Sequence, residues 1–336
     1  MDSLPTQCGE SNMLKIVKPI SLIIFCSAII HLIIFFFVNA HAGEPEAAGF
    51  SGRIMVGGAF TTGKPSPDNA SADENRRITS LSQSPKNLTE TTPVGIGELN
   101  YTFASTGTTV SLGTGSGLGA FMISQSTAET GTFSLGLNYM KDEVWQDPFI
   151  IGTNRTETDR RTKGLAMSWD NILNSGFNVS YAFDDVDIEN DVAGKRNQSL
   201  KRDGKRHTIK GGSRLFATDI SELSAGLIYE RSDMTGKNFS YDGYGIELTH
   251  VLRGGGWDLG TAFSVSYHDY DGIHPEFNRA REDRIFSLGS AFTLHEPFKL
   301  KHYFITLFGS ATLNDSTIGF YDESSLTGGL GIGYEF

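Results

Sequence analysis

The chain has 336 residues and a formal net charge of −11 at pH 7, and this acidic balance excludes a nucleic-acid-binding protein. Its 39 glycines against 10 prolines, together with 11% aromatic residues, are typical of a fold with many strands, many tight turns and few helices. The composition therefore favours an all-β protein.

The N-terminal segment has the organisation of a secretory signal. Two lysines precede an apolar run over 20–38, which leads to the small-x-small tripeptide 40–42. This order is typical of a signal peptide that is removed on export. We predict a signal peptide at 1–42 and a single domain at 43–336, without cysteine because both cysteines lie in the removed part. An uncleaved anchor is the alternative, since the run is long enough to cross a bilayer.

Apolar and polar residues alternate along most of the remaining chain, and strict alternation predicts strands with one apolar face. The last seven residues show the pattern clearly, with Leu330, Ile332, Tyr334 and Phe336 at every second position. Fourteen such segments are predicted, at 50–60, 94–104, 108–113, 118–127, 132–140, 163–170, 177–184, 205–215, 222–230, 241–252, 257–268, 283–294, 302–313 and 330–336.

The lengths of the connections follow a rhythm. Connections after odd-numbered strands are mostly long, as at 62–92 and 141–161, whereas those after even-numbered strands are tight, as at 105–107 and 128–131; 114–117 is the exception. An even strand number with this phase is typical of a membrane barrel that begins and ends in the periplasm. We predict an antiparallel transmembrane β-barrel of about 14 strands. Twelve strands, or a soluble sandwich, are the alternatives.

Several segments of the chain carry a family resemblance. They are Glu98–Phe103, Glu143–Phe149, Thr156–Arg160, Asp242–Tyr244 and Phe320–Asp322, of which the Trp-Gln-Asp-Pro-Phe part of the second is the most specific. They resemble a bacterial outer-membrane family known as domain of unknown function 2860, over nearly the whole exported chain. The resemblance implies an outer-membrane barrel and no established activity.

Polar and charged residues lie at the alternate strand positions that would face the barrel interior. A lumen lined by both signs of charge suits water and small polar solutes, so we predict a passive, porin-like channel. The alternative is a plugged structural or surface-interaction barrel in which these side chains pair across the interior. The lumen-lining candidates are Arg53, Glu98, Asn100, Lys210, Arg214, Glu222, Glu247 and Asp258.

The connection 141–161 holds apolar residues where an aqueous loop is expected, among them Trp145, Pro148 and Phe149. Such residues need burial, so the segment is a candidate constriction loop that folds into the lumen. The alternative is that strands five and six extend beyond the membrane and pack these residues on each other. At the chain end, Tyr334 and Phe336 are predicted to form the assembly seam with 50–60.

A run of carboxylates, Asp185, Asp187, Glu189 and Asp191, continues the outward parity of the strand before it. Four carboxylates on one surface could collect divalent cations. Because basic residues follow at 195–206, a solvated loop base is the alternative, and we predict no metal and no cofactor.

Catalysis has one weak candidate. Some small barrels are lipid-modifying enzymes that use Ser and His at the outer rim, but no histidine lies beside a Gly-x-Ser-x-Gly turn. His268 with Asp269 and Asp271, at the top of a strand, is the least poor candidate. We predict that the protein is not an enzyme. The expected partners are outer-membrane lipid, lipopolysaccharide and the barrel assembly machinery; the oligomeric state is left open.

Overall fold

The computed structural model describes residues 48–70, 73–83, 85–113 and 120–336. The signal segment predicted at 1–42 lies outside the described residues. No helix of the described parts is long and apolar enough to cross a membrane.

Fourteen antiparallel strands form one closed ring in which each strand pairs with its neighbours in the chain, and β1 pairs with β14. The predicted fold and strand number are therefore confirmed. The strands are β1 Gly49–Lys64, β2 Leu88–Phe103, β3 Thr108–Gly113, β4 Ala120–Thr127, β5 Gly131–Trp145, β6 Glu157–Asp170, β7 Phe177–Ile188, β8 Gly204–Ala217, β9 Ser221–Met234, β10 Tyr241–Gly254, β11 Trp257–His274, β12 Arg279–His295, β13 Tyr303–Ser316 and β14 Glu323–Glu335.

Helical structure in the described part of the chain is confined to single turns between strands. The only α-helix among the described residues is Val192–Arg196, in the β7–β8 connection. Short 3-10 turns lie at Asp73–Asn75, Ile172–Asn174, Gln198–Leu200, Lys237–Phe239, Pro297–Lys299 and Gly319–Tyr321.

The outer face of the barrel is apolar. Phe50, Val56, Leu227 and Leu307 are each more than half exposed, and many outward-facing residues of the other strands are also large, apolar and exposed. Solvent-exposed apolar side chains arranged all round a closed barrel form the band that lipid covers in membrane barrels.

The two ends of the barrel differ. Connections after even-numbered strands make the turn end, where both termini of the barrel lie, and connections after odd-numbered strands make the loop end. The strands reach further toward the loop end than alternation predicted: β5 continues to Trp145, β6 begins at Glu157, and β11 and β12 pair up to His274. The exceptional connection 114–117 lies entirely outside the described residues.

Every second residue in the latter half of β14 is a glycine that faces inward. Any Cβ at these positions would overlap a large side chain of the neighbouring strand: Phe308 lies over Gly329, Met55 over Gly331 and Phe304 over Gly333. The rings and the methionine are buried against the barrel wall. Near them Ala59, Ala291 and Phe308 form a small apolar cluster, with Val94, Ile96 and Ala262 at its edge.

The seam between the first and last strands closes the cylinder. β1 and β14 pair from Arg53 opposite Glu335 to Lys64 opposite Ser324. Beyond the end of β14, Phe336 N donates to Gly52 O and Gly52 N donates to Phe336 O, both at 2.9 Å. The seam leaves no free sheet edge.

A chain that ends at Glu335 is expected to assemble poorly, because it loses both hydrogen bonds between Phe336 and Gly52 at the point where the ring closes. The measurement is the folded fraction recovered from outer membranes, judged by heat-modifiable electrophoretic mobility. Phe336→Tyr, which keeps the backbone pairing and an aromatic ring, is the control and is expected to assemble normally. Equal folded fractions of the truncated and full chains would contradict the prediction.

Candidate functional site

Charged side chains inside the barrel form ion pairs that run along the wall. The Arg53 guanidinium lies 3.0 Å from Glu98 on the neighbouring strand. The Lys210 ammonium reaches Glu247 at 2.9 Å, two strands away. Each pair joins strands that lie next to each other or two apart. This geometry differs from the alternative in which such side chains pair across the interior.

The other lumen-lining candidates lie nearer the turn end. Glu222 is 3.6 Å from Arg253, and Asp258 is 2.7 Å from His295 Nε2. Asn100 donates from Nδ2 to Glu98 at 3.1 Å. Arg214 is exposed and donates to Asn171 Oδ1 at 3.0 Å, beside the β6–β7 turn. All eight candidates lie on the inward-facing side of their strands. Their contact with a solute stays a prediction.

At the loop end, connections from six of the seven hairpins meet and form what we call the cap. The cap comprises 65–70, 73–83, 146–156, 189–203, 235–240, 275–278 and 317–322, with His274 at the end of β11. Its apolar core consists of Ile78, Phe149, Ala193, Leu200, Ile318, Phe320 and Tyr321, with Leu81, Phe239 and Phe277 packed against it. A buried core outside the barrel wall shows that these loops form a packed layer.

Phe149 shows that the cap crosses the mouth of the barrel. It belongs to the β5–β6 connection, yet its ring centroid lies 5.1 Å from that of His274 and 5.7 Å from that of Phe320. The β5–β6 hairpin is six strands away from both the β11–β12 and β13–β14 hairpins in a ring of fourteen, almost diametrically opposite. The cap therefore lies over the lumen.

A buried ion pair within the β7–β8 connection is also bound to two other loops of the cap. Arg202 and Asp191, both almost fully buried, lie 2.7 Å apart, and the Arg202 backbone N also donates to Asp191 at 2.9 Å. Arg202 also pairs with Asp68 of the β1–β2 connection and donates to Gln146 O at 3.1 Å. Asp191 in turn caps the helix by accepting from Gly194 N. Removing one partner of such a pair leaves an uncompensated buried charge, which strongly destabilises the fold.

Arg155 binds three separate segments of the cap without a carboxylate in direct contact. It donates to Pro67 O at 3.2 Å, to Pro148 O at 3.1 Å and to Asn75 O, and its guanidinium lies 4.6 Å from the Trp145 ring centroid. Burial lowers the pKa of Arg155 to about 10, so the side chain stays charged at neutral pH.

His274 lies at the centre of the cap and is almost fully buried. Its Nδ1 accepts from Glu276 N at 3.3 Å, so the neutral ring carries its proton on Nε2 and donates to the Tyr321 hydroxyl at 2.8 Å. Burial, followed by the positive charge of Arg281, lowers the pKa of His274 to about 4. The imidazole is neutral at pH 7.

The connection that holds the predicted constriction residues has features of both alternatives, extended strands and a loop that covers the lumen. Strands β5 and β6 do extend, and Trp145 is fully buried at the end of β5. Pro148 and Phe149 are buried in the cap, above the barrel wall.

The two aromatic residues predicted at the seam have different surroundings. Tyr334 is half-buried, with its ring centroid 5.1 Å from that of Tyr303, whereas Phe336 lies against Gly52.

The carboxylate run needs a correction, because its last member does not continue the outward parity. Asp191 turns into the cap and binds Arg202, whereas Asp185 and Asp187 stay exposed on the outer face. Glu189 is bound to Arg161 at 2.5 Å. Among the residues that the structure describes, no group of three or more carboxylate, imidazole or thiol side chains is arranged to hold a metal ion.

The structure does not bring the three residues of the catalytic candidate, His268, Asp269 and Asp271, together. His268 faces the lumen and stacks on Tyr241, with ring centroids 4.3 Å apart. Asp271 lies on the outer face, 2.7 Å from Arg231, and Asp269, as the direct neighbour of His268 in the strand, faces outward. The three side chains therefore cannot act on one group.

Sequence reasoning missed most of the cap residues, above all Asp68, Arg155, Arg202 and His274. One signal could have located the cap. The segments of the family resemblance at Trp145–Phe149 and Phe320–Asp322 are far apart in the chain but meet through Phe149 and Phe320.

The architecture defines a class: a closed, even-stranded barrel with an apolar outer band is a β-barrel of the outer-membrane type. The model of the family described as "Protein of unknown function (DUF2860)" matches residues 49–335. The chain belongs to this family, which confirms the resemblance seen in the sequence.

The solved structures to which the chain is similar include those of three bacterial proteins, and no curated protein matches the chain. OmpT of Vibrio cholerae with loop L8 deleted has 8% identity and a TM-score of 0.37, covering 85% of this chain and 99% of its own. The channel DcaP of Acinetobacter baumannii has 9% identity and a TM-score of 0.40, covering 86% and 100%. An anion-selective porin from Comamonas acidovorans has 12% identity and a TM-score of 0.37, covering 86% and 99%.

Arg202→Met is expected to loosen the cap, because Asp191 would stay buried without its partner; breaking a buried pair costs about 3–5 kcal/mol. Trp145 is a built-in reporter, so the measurement is acrylamide quenching of its fluorescence in a chain whose other two tryptophans, Trp169 and Trp257, are changed to Phe. Arg161→Met, which breaks the exposed pair with Glu189, is the matched control, with an expected cost below about 1 kcal/mol. Equal quenching in both variants would refute the role of the buried pair.

Cap stability is expected to fall with acidification between about pH 6.5 and pH 4. The His274 pKa is about 4 in the cap and about 6.5 in an open chain, so the open state binds the proton more readily over this range. The stabilisation is fully present above pH 6.5, and the loss amounts to about 3 kcal/mol by pH 4. Trp145 quenching measured from pH 8 to pH 4 should rise. His274→Gln should remove most of this pH dependence, and an unchanged profile would exclude His274 as its source.

Proposed function

We propose that the protein is an outer-membrane channel for small polar solutes whose outer mouth is closed by the cap and opens when the cap is displaced. The observation that carries this proposal is the arrangement of ion pairs along the wall, as in Arg53 with Glu98 and Lys210 with Glu247, under a separate packed cap. Side chains held against the wall leave the axis of the lumen to water and solute.

The proposed orientation has the turn end in the periplasm and the cap outside the cell. Short turns on one side, long connections on the other and both barrel termini at the turn end support it. A signal peptide at 1–42 would deliver the chain to that membrane, where lipid, lipopolysaccharide and the assembly machinery would be its partners.

A plugged barrel with a structural or surface-interaction role is the second candidate, and the cap itself favours it. The cap core is buried, and Arg202 has each of its guanidinium nitrogens bound. A cap that never moves would make the lumen a closed chamber. Catalysis is not proposed, because His268 and its two carboxylate neighbours point to opposite faces.

Conductance separates the channel from the plugged barrel. We expect the purified protein in planar bilayers to show brief, stepwise openings, and Phe149→Ala to raise the open fraction at least tenfold. The reason is that removing a buried phenylalanine side chain costs about 3–5 kcal/mol, and about 1.4 kcal/mol changes an equilibrium tenfold.

The matched control is Ile151→Ala, which shortens an apolar side chain of the same connection that is 52% exposed. Its conductance should equal that of the unchanged protein. Silent bilayers for all three well-folded proteins would support the plugged barrel and refute the channel.

A further inference from the structure

We propose that this channel prefers small cations to anions; the inference rests on the proposed function and adds a solute class to it. The relevant surface is the lower lumen, which we define as the inward-facing positions from the turn end up to the pair of Lys210 and Glu247. Solutes entering from the turn end would meet these side chains before they reach the cap.

The lower lumen carries more carboxylates than cations. Among its described residues six are acidic and four are basic, with His295 counted as neutral. The acidic residues are Glu98, Asp170, Glu222, Glu247, Asp258 and Glu335, and the basic residues are Arg53, Lys210, Arg214 and Arg253. The surplus of two negative charges gives this part of the lumen a negative potential.

The ion pairs show where the surplus lies. Arg53 is the register partner of both Glu98 and Glu335, so one guanidinium faces two carboxylates. Asp170 accepts from Ser168 Oγ at 2.8 Å and forms no ion pair with the described residues. A mobile ion therefore meets uncompensated negative charge.

The salt concentration sets the distance over which this negative charge acts on ions in the lumen. The Debye length is about 10 Å at 0.1 M ionic strength and about 3 Å at 1 M, so carboxylates on the wall act on ions in the lumen mainly in dilute salt. We expect a cation-to-anion permeability ratio of roughly three or more at 0.1 M KCl, falling toward one at 1 M.

The test is the reversal potential across planar bilayers in a KCl gradient at pH 8. It uses the full-length protein and also the Phe149→Ala chain, so that a closed cap does not hide the lumen. Asp170→Asn combined with Glu335→Gln removes the surplus and should bring the permeability ratio close to one. Because Glu335 lies at the seam, Arg214→Gln provides a second variant that alters no strand pairing, and it should increase the cation preference.

The matched control is Asp185→Asn combined with Asp187→Asn, which removes two negative charges from the outer face and should leave the ratio unchanged. Conductance with no ion preference, or an equal shift in this control, would overturn the cation preference and leave the channel intact. Absence of conductance in both backgrounds would overturn the channel itself, and the cation preference with it.

Discussion

Backbone hydrogen bonding is the constraint on which the structure depends. In the hydrocarbon of a membrane no water can satisfy an unpaired peptide group, so a sheet can persist there only if its first and last strands pair with each other. The reciprocal bonds of Phe336 and Gly52 complete that pairing. The inward glycines of β14 serve the same end, since Gly329 and Gly333 let Phe308 and Phe304 lie flat against the closing strand.

Because the closed wall satisfies the backbone hydrogen bonds, the interior and the loops can have a different composition from the wall. The wall is uniform, whereas the cap joins apolar packing through Phe149 with buried charge at Arg202 and Asp191. Three of the segments that mark the family, Glu143–Phe149, Thr156–Arg160 and Phe320–Asp322, lie in this layer or at the strand ends beside it, whereas the other two lie within β2 and β10. A lipid-facing position tolerates any large apolar side chain, but a cap residue such as Asp191 must match one particular partner.

The wall could be predicted from the sequence because each of its strands shows the same alternation of outward apolar and inward polar or small residues. Strand ends were harder to predict, because above the lipid band the outward residues become polar, as at Asp159 and Asp185. The apolar alternation ends there although strand pairing continues. The inward parity of Arg53 and Lys210 was readable for the same reason. The cap was not predictable, because Asp68 and Arg202 are 134 residues apart and no local pattern reveals that they meet.

That separation gives the cap a place in the order of folding. Each hairpin can form from local contacts, whereas contacts such as that of Phe149 with Phe320 join loops that come together only after the ring has closed in the correct register. A slip of one residue at the seam would turn the inward face outward and move the loops out of reach of one another. An ordered cap is thus a sign, visible from outside the cell in the proposed orientation, that the barrel beneath it has been built correctly.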